Sequence, residues 1–181
     1  MKKRAVFLDR DGVLNRAVIR DGKPYPPASL SELEILDGVS EALRYLRSAG
    51  FILIVVTNQP DAARGITPLS TIEAIHARML ETLALDDIRV CLHSGHEGCA
   101  CRKPKPGMLI NAAEEFQIDL SASFMVGDRW RDINAGHAAG CRTILIDVGY
   151  DEQPPEREPE FTCTSLSEAA RWIVHMTRGN K

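Results

Sequence analysis

With 181 residues, 44% of them hydrophobic and 26% charged, the chain has the balance of a globular protein and room for one domain over 1–181. Its 22 lysines and arginines against 25 acids leave a formal net charge of −3, which excludes the strongly basic surface of a non-specific nucleic-acid binder. No apolar stretch is long enough to span a bilayer, and MKKRAVFLDRDG turns charged too early for a signal peptide, so a cytoplasmic protein with no membrane or nucleic-acid partner is expected.

In chain order, residues 4–8 are a short apolar run ending in Asp9-Arg10-Asp11-Gly12, which predicts a buried strand. Residues 16–37 carry no period and include the turn-rich Arg20-Asp21-Gly22-Lys23-Pro24-Tyr25-Pro26-Pro27. Residues 39–49 have helical spacing (Val39, Leu43, Leu46) and stop at Gly50, a natural C-terminal cap. Residues 51–56 predict a second buried strand before Thr57-Asn58-Gln59. Thr67-Pro68 opens a helix with Ile72, Ile75, Met79 and Leu83 on one face. A short strand at 88–92 leads into a cysteine-rich segment, followed by a helix at 106–116. A strand at 123–126 ends at Gly127-Asp128, a helix at 132–139 ends at Gly140, and 143–148 predicts another strand. The glutamate- and proline-rich 152–160 is a loop, and 165–177 a closing helix whose Ser165 and Glu168 can form a capping box.

Strands alternating with helices predict an α/β protein, a parallel sheet covered on both faces. Asp9 and Asp11, Thr57 and Asn58, and Asp128 each fall at the C-terminal end of a strand, the edge where open α/β sheets bind ligands. Asp9 and Asp11 flank one residue, so in extended geometry their side chains share a side. Asp-Gly is also a common turn signal. The functional reading has one carboxylate attack phosphorus while the other handles the leaving-group proton, with Mg²⁺ offsetting the charge. Asp128 can complete the Mg²⁺ shell. Asp132 can cap the helix that follows, support the metal, or both. Thr57 and Asn58 can donate to phosphate oxygens or simply close a turn. Lys103 can hold a transferring phosphoryl group or be a solvated loop lysine.

Of the five cysteines, Cys91, Cys99 and Cys101 crowd into eleven positions with His93 between them, in the pattern C-x-H-x₅-C-x-C. Three sulfurs and a nitrogen suit a closed, structural Zn²⁺ site. His96 is a competing ligand, and His93 is preferred because each ligand pair is then C-x-H or C-x-C. Such a zinc would pin the loop that carries Arg102 and Lys103. Cys141 and Cys163 read as small buried apolar residues.

LDRDGVLN (8–15), VVTNQ (55–59), CRKPKPGM (101–108) and VGDRWRD (126–132), in this order, resemble the motifs of the haloacid-dehalogenase-like phosphatases. The resemblance implies a Rossmann-like three-layer fold with Asp9 on the central strand and an aspartyl-phosphate mechanism. It makes Asp9 nucleophile and Mg²⁺ ligand, and Asp11 general acid/base and Mg²⁺ ligand through its carbonyl. Thr57 and Lys103 hold the phosphoryl group, and Asp128 binds Mg²⁺. The zinc pattern before CRKP resembles the branch of heptose-bisphosphate and histidinol-phosphate phosphatases, in which Arg102 and Arg129 are expected to contact substrate together with Asn58 and Gln59. The spacing between motifs leaves no room for a large cap domain. The expected substrate is a small sugar bisphosphate, taken up by a monomer, with Arg102, Arg129, Arg64 or Arg20 on its second phosphate. Three features depart from the heptose enzymes: a short loop between His93 and Cys99, no His-Gly-Tyr stretch in 17–30, and Pro60 where a small residue is usual. A histidinol-phosphate phosphatase would want a free carboxylate for the substrate amine, for which Asp61 is the candidate. A zinc-stabilised binding module is the non-enzymatic alternative, and the intact Asp9–Asp11 pair argues against it.

Overall fold

The computed structural model describes residues 2–20 and 23–178. The first half of the chain supplies β1 (Arg4–Leu8), β2 (Val18–Arg20), β3 (Lys23–Tyr25), α1 (Val39–Ser48), β4 (Phe51–Asn58), α2 (Leu69–Thr82) and β5 (Asp87–Cys91). The second half supplies α3 (Gly107–Phe116), β6 (Phe124–Gly127), α4 (Trp130–Ala139), β7 (Arg142–Ile146), β8 (Phe161–Cys163) and α5 (Leu166–Arg178). Six strands form one sheet in the order β5-β4-β1-β6-β7-β8, and every pairing in it is parallel.

Alternation along the strands divides the core between the two faces of this sheet. Val6, Leu8, Leu53, Val55 and Val126 point to one side, where α1 and α5 bring Leu43, Leu46, Ala170 and Ile173. Ala5, Phe7, Ile54, Val56 and Met125 point to the other, where α3 and α4 bring Met108, Leu109, Ala112 and Ala135. This is the three-layer arrangement expected from the sequence, and β1 sits inside it with a neighbour on each flank. A strand so placed is buried on both faces, which is why residues 5–8 are apolar without interruption.

Two elements differ from the sequence reading. Residues 18–25 are not wholly irregular: β2 and β3 pair antiparallel, Val18 opposite Tyr25, as a separate two-stranded sheet. The Asp21-Gly22 turn and the side chain of Arg20, a candidate phosphate ligand above, lie outside the described residues. β8 was hidden because Phe161–Cys163 is only three residues long and follows a proline-rich loop. The closing helix starts with half a capping box. Ser165 Oγ accepts from the Glu168 amide at 3.3 Å, while the Glu168 carboxylate reaches past it to the Thr164 amide at 3.0 Å. Cys141 and Cys163 are buried, as expected of small apolar residues. Among the described residues no helix is long and apolar enough to cross a membrane.

Candidate active site

The site stands at the C-terminal ends of β1, β4 and β6. The β1–β6 ladder continues one residue past the strand, the Asp9 amide donating to the Val126 carbonyl at 2.9 Å, and so sets Asp9 beside Gly127-Asp128. Lys103 reaches in from the zinc-side loop and is almost completely buried. Its Nζ donates to Asp9 Oδ1 at 2.7 Å and to the Val56 carbonyl at 2.6 Å, and lies 2.6 Å from Asp132 Oδ1. The solvated-loop alternative for Lys103 is thereby removed. Asp132 is likewise more than a cap. It falls in the first turn of α4, where Oδ2 accepts from the Arg129 amide at 3.1 Å, and its other oxygen meets Lys103.

Asp9, Asp128 and Asp132 are all buried and can each bring a carboxylate oxygen within 4.8 Å of the others. Burial, only partly offset by Lys103, raises the Asp9 carboxyl to about 6. Burial, and then the charge of Asp9, raises Asp128 well above the carboxylate range. For Lys103 burial works against the charge, but Asp132 and Asp9 together hold the ammonium above the ordinary lysine range. Both oxygens of Asp128 are buried and meet no hydrogen-bond criterion among the described residues, with the Tyr150 side chain close by. Such carboxylate oxygens facing a second buried carboxylate suit a hard divalent cation, and the donor set fits Mg²⁺. Asp9 and Asp128 would hold the ion, and the Asp11 carbonyl remains the expected third protein ligand. Gly12 is what lets Asp128 approach: its φ is +93°, and a Cβ there would fall 1.9 Å from Asp128 Oδ2. Gly12→Ala is therefore expected to displace Asp128, raise the Mg²⁺ concentration needed for half-maximal activity and lower kcat on the order of 10²-fold. Initial rates across a Mg²⁺ titration check both.

The side chain of Asp11 lines the cavity outside this carboxylate cluster and is held in a clamp. It accepts from Arg10 Nε and Nη2, from Asn15 Nδ2 at 2.9 Å and from Gln59 Nε2 at 2.8 Å. Gln59 also donates to Thr57 Oγ1 at 2.9 Å and is buried, so it holds two other site residues in place instead of lining the cavity. Asn58 lines the cavity but spends its amide on the backbone of Lys103, donating to its carbonyl at 3.0 Å and accepting from its amide at 3.1 Å.

One cavity, about 250 Å³, takes in Asp9, Asp11, Thr57, Asn58, Lys103, Asp128, Pro24 and Tyr25 of β3, and Pro26 just after it. Arg64, Arg102, Arg129 and Arg131 also line it. Arg129 is neutralised by a two-pronged ion pair with Glu152, and Arg64 sits 3.5 Å from Asp61. Arg102 donates to the His93 carbonyl at 3.0 Å and among the described residues has no carboxylate partner. Arg131, which the sequence reading passed over, lies against the Trp130 ring, 5.1 Å from its centroid, and among the described residues has no hydrogen-bond or ion-pair partner. The signal was available in RWRD, where residues 129 and 131 both follow the metal-site aspartate.

Cys91, His93, Cys99 and Cys101 converge: Cys91 Sγ lies 3.8 Å from Cys99 Sγ, 3.0 Å from Cys101 Sγ and 3.5 Å from His93 Nδ1, with His93 Nδ1 3.3 Å from Cys101 Sγ. A zinc tetrahedron with bonds of 2.0–2.3 Å has edges of roughly 3.5–3.8 Å. The Cys91–Cys99 and Cys91–His93 spacings match these, and Cys101 stands closer in. All four ligand atoms lie within 4.8 Å of one another, so the donor set suits zinc. His96 stands outside it, exposed on a loop that Glu97 closes by accepting from the amides of Ser94 and Gly95. Burial pushes the Cys91 thiol up to about 12, so a cation is what would keep that sulfur ionised. The Gln59 amide donates to the Cys91 carbonyl at 2.8 Å, which ties the zinc loop to β4. Cys101→Ser is expected to abolish zinc retention and lower Tm by about 5–10 °C, for a loss of about 2–3 kcal/mol. Zinc released on denaturation and a melting curve check it.

Parallel sheet, carboxylate cluster and buried lysine together define a haloacid-dehalogenase-like phosphatase. Residues 100–169 match the family model described as HAD-hydrolase-like. The chain is 40% identical over 177 residues to the D-glycero-β-D-manno-heptose-1,7-bisphosphate 7-phosphatase of Pseudomonas putida, which covers 93% of this chain and 98% of that protein. It is 38% identical over 149 residues to the D-glycero-α-D-manno-heptose-1,7-bisphosphate 7-phosphatase of Campylobacter jejuni, covering 81% and 83%. The crystal structure of D,D-heptose 1,7-bisphosphate phosphatase from B. bronchiseptica, complexed with magnesium and phosphate, superposes with a TM-score of 0.81 at 33% identity, covering 96% of this chain and 99% of that one. The chain belongs to the D-glycero-D-manno-heptose-1,7-bisphosphate 7-phosphatase family.

Proposed function

We propose that the protein removes the 7-phosphate of D-glycero-D-manno-heptose 1,7-bisphosphate through an aspartyl-phosphate on Asp9. The Asp9 oxygen not held by Lys103 attacks phosphorus, and the bond from phosphorus to the sugar oxygen breaks. Asp11 gives its proton to the departing alkoxide. Water then attacks the aspartyl-phosphate, Asp11 takes the water proton back, and inorganic phosphate leaves with Asp9 restored. Thr57 and the Lys103 ammonium face the phosphoryl oxygens, where negative charge has to be met without water. Bound Mg²⁺ supplies the positive charge that lets a phosphate approach three buried carboxylates. The zinc loop acts at a distance by fixing the segment that carries Arg102 and Lys103.

The observation that carries the bisphosphate reading is a pair of arginines, Arg102 and Arg131, lining the same cavity as Asp9 with no ion pair to a carboxylate among the described residues. A second phosphate on the substrate supplies the missing anion, and guanidinium groups meet it with paired hydrogen bonds. Arg129, already matched to Glu152, is available only if that pair opens. A histidinol-phosphate site would instead need a carboxylate for the amine, and Asp61 has Arg64 beside it. A monomer remains the expected form, and reduced zinc thiolates suit the cytoplasm.

The deciding experiment is phosphate release with Mg²⁺ from both anomers of the heptose bisphosphate, histidinol phosphate and simple sugar monophosphates. A kcat/KM at least 10²-fold higher for a heptose bisphosphate, with KM raised by Arg102→Ala and by Arg131→Ala, supports the proposal. Preference for histidinol phosphate, or equal rates on monophosphates, overturns it.

A further inference from the structure

α2 presents His76 to the loop that follows β1, half-buried beside Ile75 and one turn from Ile72 and Met79. His76 Nε2 lies 2.9 Å from Arg10 Nη1. Arginine has only donors, so the ring nitrogen accepts and the ring is neutral, its proton on Nδ1. Arg10 is fully buried, and its other edge is spent on Asp11, Nε and Nη2 both within 3.2 Å of that carboxylate. Burial, and then the Arg10 charge, lowers His76 to about 4, so the ring stays an acceptor across the neutral range.

We propose that His76 is a positioning residue, which fixes the guanidinium of Arg10 so that Arg10 in turn aims the Asp11 carboxylate at the leaving-group oxygen. The geometry leaves Arg10 little other freedom, since Nε and Nη2 face one carboxylate and Nη1 faces one imidazole. Removing the imidazole leaves a buried Nη1 without an acceptor, and a guanidinium in that position turns towards whatever acceptor it can find. Asn15 and Gln59 still hold Asp11, but neither fixes the plane of its carboxylate as a forked guanidinium does. The effect thus falls on proton delivery and spares phosphate binding.

This inference rests on the assignment of Asp11 to proton transfer, and two substrates separate that role from general loosening. Hydrolysis of an alkyl phosphate needs a proton on the departing oxygen. p-Nitrophenyl phosphate releases a stable phenolate and hardly needs one. Single-turnover release of the leaving group would be measured for the heptose bisphosphate and for p-nitrophenyl phosphate, with His76→Leu and His76→Gln. Gln can place an acceptor near Nε2, and Leu cannot. His76→Leu is expected to lose about tenfold on the sugar phosphate, less than threefold on p-nitrophenyl phosphate, with KM unchanged within about twofold, and His76→Gln is expected to recover most of the loss. Equal losses on both substrates, or no loss in His76→Leu, overturn the inference. A crystal structure of His76→Leu with Arg10 and Asp11 undisplaced overturns it too, even if the sugar phosphate is not a substrate of the native protein.

Discussion

Asp9→Asn is expected to lower kcat by at least about 10⁴-fold, equivalent to about 5.4 kcal/mol of barrier, while the protein folds as well as the native one. Asparagine keeps the shape of the side chain, and its Oδ1 can still accept from Lys103, 2.7 Å away in the native site. What it cannot do is attack phosphorus and leave again as a carboxylate. Asp9→Ala should show the same loss, which rules out slow deamidation as a source of residual rate. With a chelator present, Asp9→Asn should melt no lower than the native protein near neutral pH. The reason is the sign of the Asp9 shift. Burial first, with Asp132 adding to it, raises the carboxyl to about 6 in the folded state, against about 4 when unfolded. Ionising Asp9 thus costs stability, a cost that grows as pH rises through that window, and asparagine does not carry it. Phosphate release and melting curves at pH 7.5 check the two halves together. Residual kcat above about 1% of native, retained in Asp9→Ala, would remove Asp9 as the nucleophile.

The sheet was readable because the buried parallel strands at 4–8, 51–56, 123–126 and 143–148 write themselves as apolar runs, and the first three end where the chemistry begins. Glycine made the helix ends equally plain, at Gly50 after α1 and Gly140 after α4. The reading failed where strands were three residues long, as in the β2–β3 hairpin and β8, since so short a run shows no period. It also ended β4 two residues early. Thr57 and Asn58 are polar, but they pair with Val90 and Cys91 because the sheet continues beneath the site.

Within the site, residue types and motif order identified the groups that meet, and spacing chose His93 over His96 for the metal cluster. What a linear reading left unresolved was which polar groups are already engaged. Arg129 and Arg131 are equivalent on paper, two basic residues after Asp128. Glu152, 23 positions downstream on a loop, engages one and leaves the other unpaired. Gln59 looked like a substrate contact from its place in VVTNQ, and it is buried against Asp11 and Thr57. Asp132 looked like a helix cap, and the lysine it meets comes from another motif 29 positions away. Each depends on a contact between distant parts of the chain, for which no local pattern exists.

Lys103→Met is expected to affect both catalysis and folding, and so to contrast with Asp9→Asn. The ammonium is buried among Asp9, Asp132 and the Val56 carbonyl, hydrogen-bonded to the first and last and ion-paired with Asp132. Methionine matches the length of the side chain and leaves the carboxylates of Asp9 and Asp132 without their buried cation. Breaking one side of a buried ion pair costs about 3–5 kcal/mol, which for a chain of this size lowers Tm by roughly 6–20 °C. The phosphoryl group loses a positive charge in a dry site, and kcat should fall on the order of 10²–10³-fold beyond any loss of folded protein. Magnesium separates this variant from a general packing defect. With Lys103 gone, Asp9, Asp128 and Asp132 repel one another with nothing between them, so the rise in Tm between chelator and millimolar Mg²⁺ should be larger in Lys103→Met than in the native protein. In Asp9→Asn, which removes a metal ligand and one of the repelling charges, the same rise should be smaller. Melting curves with and without Mg²⁺ on the three proteins test it. If Mg²⁺ stabilised all three alike, the cation would be binding elsewhere than among these carboxylates, and Lys103 would not be the charge that balances them.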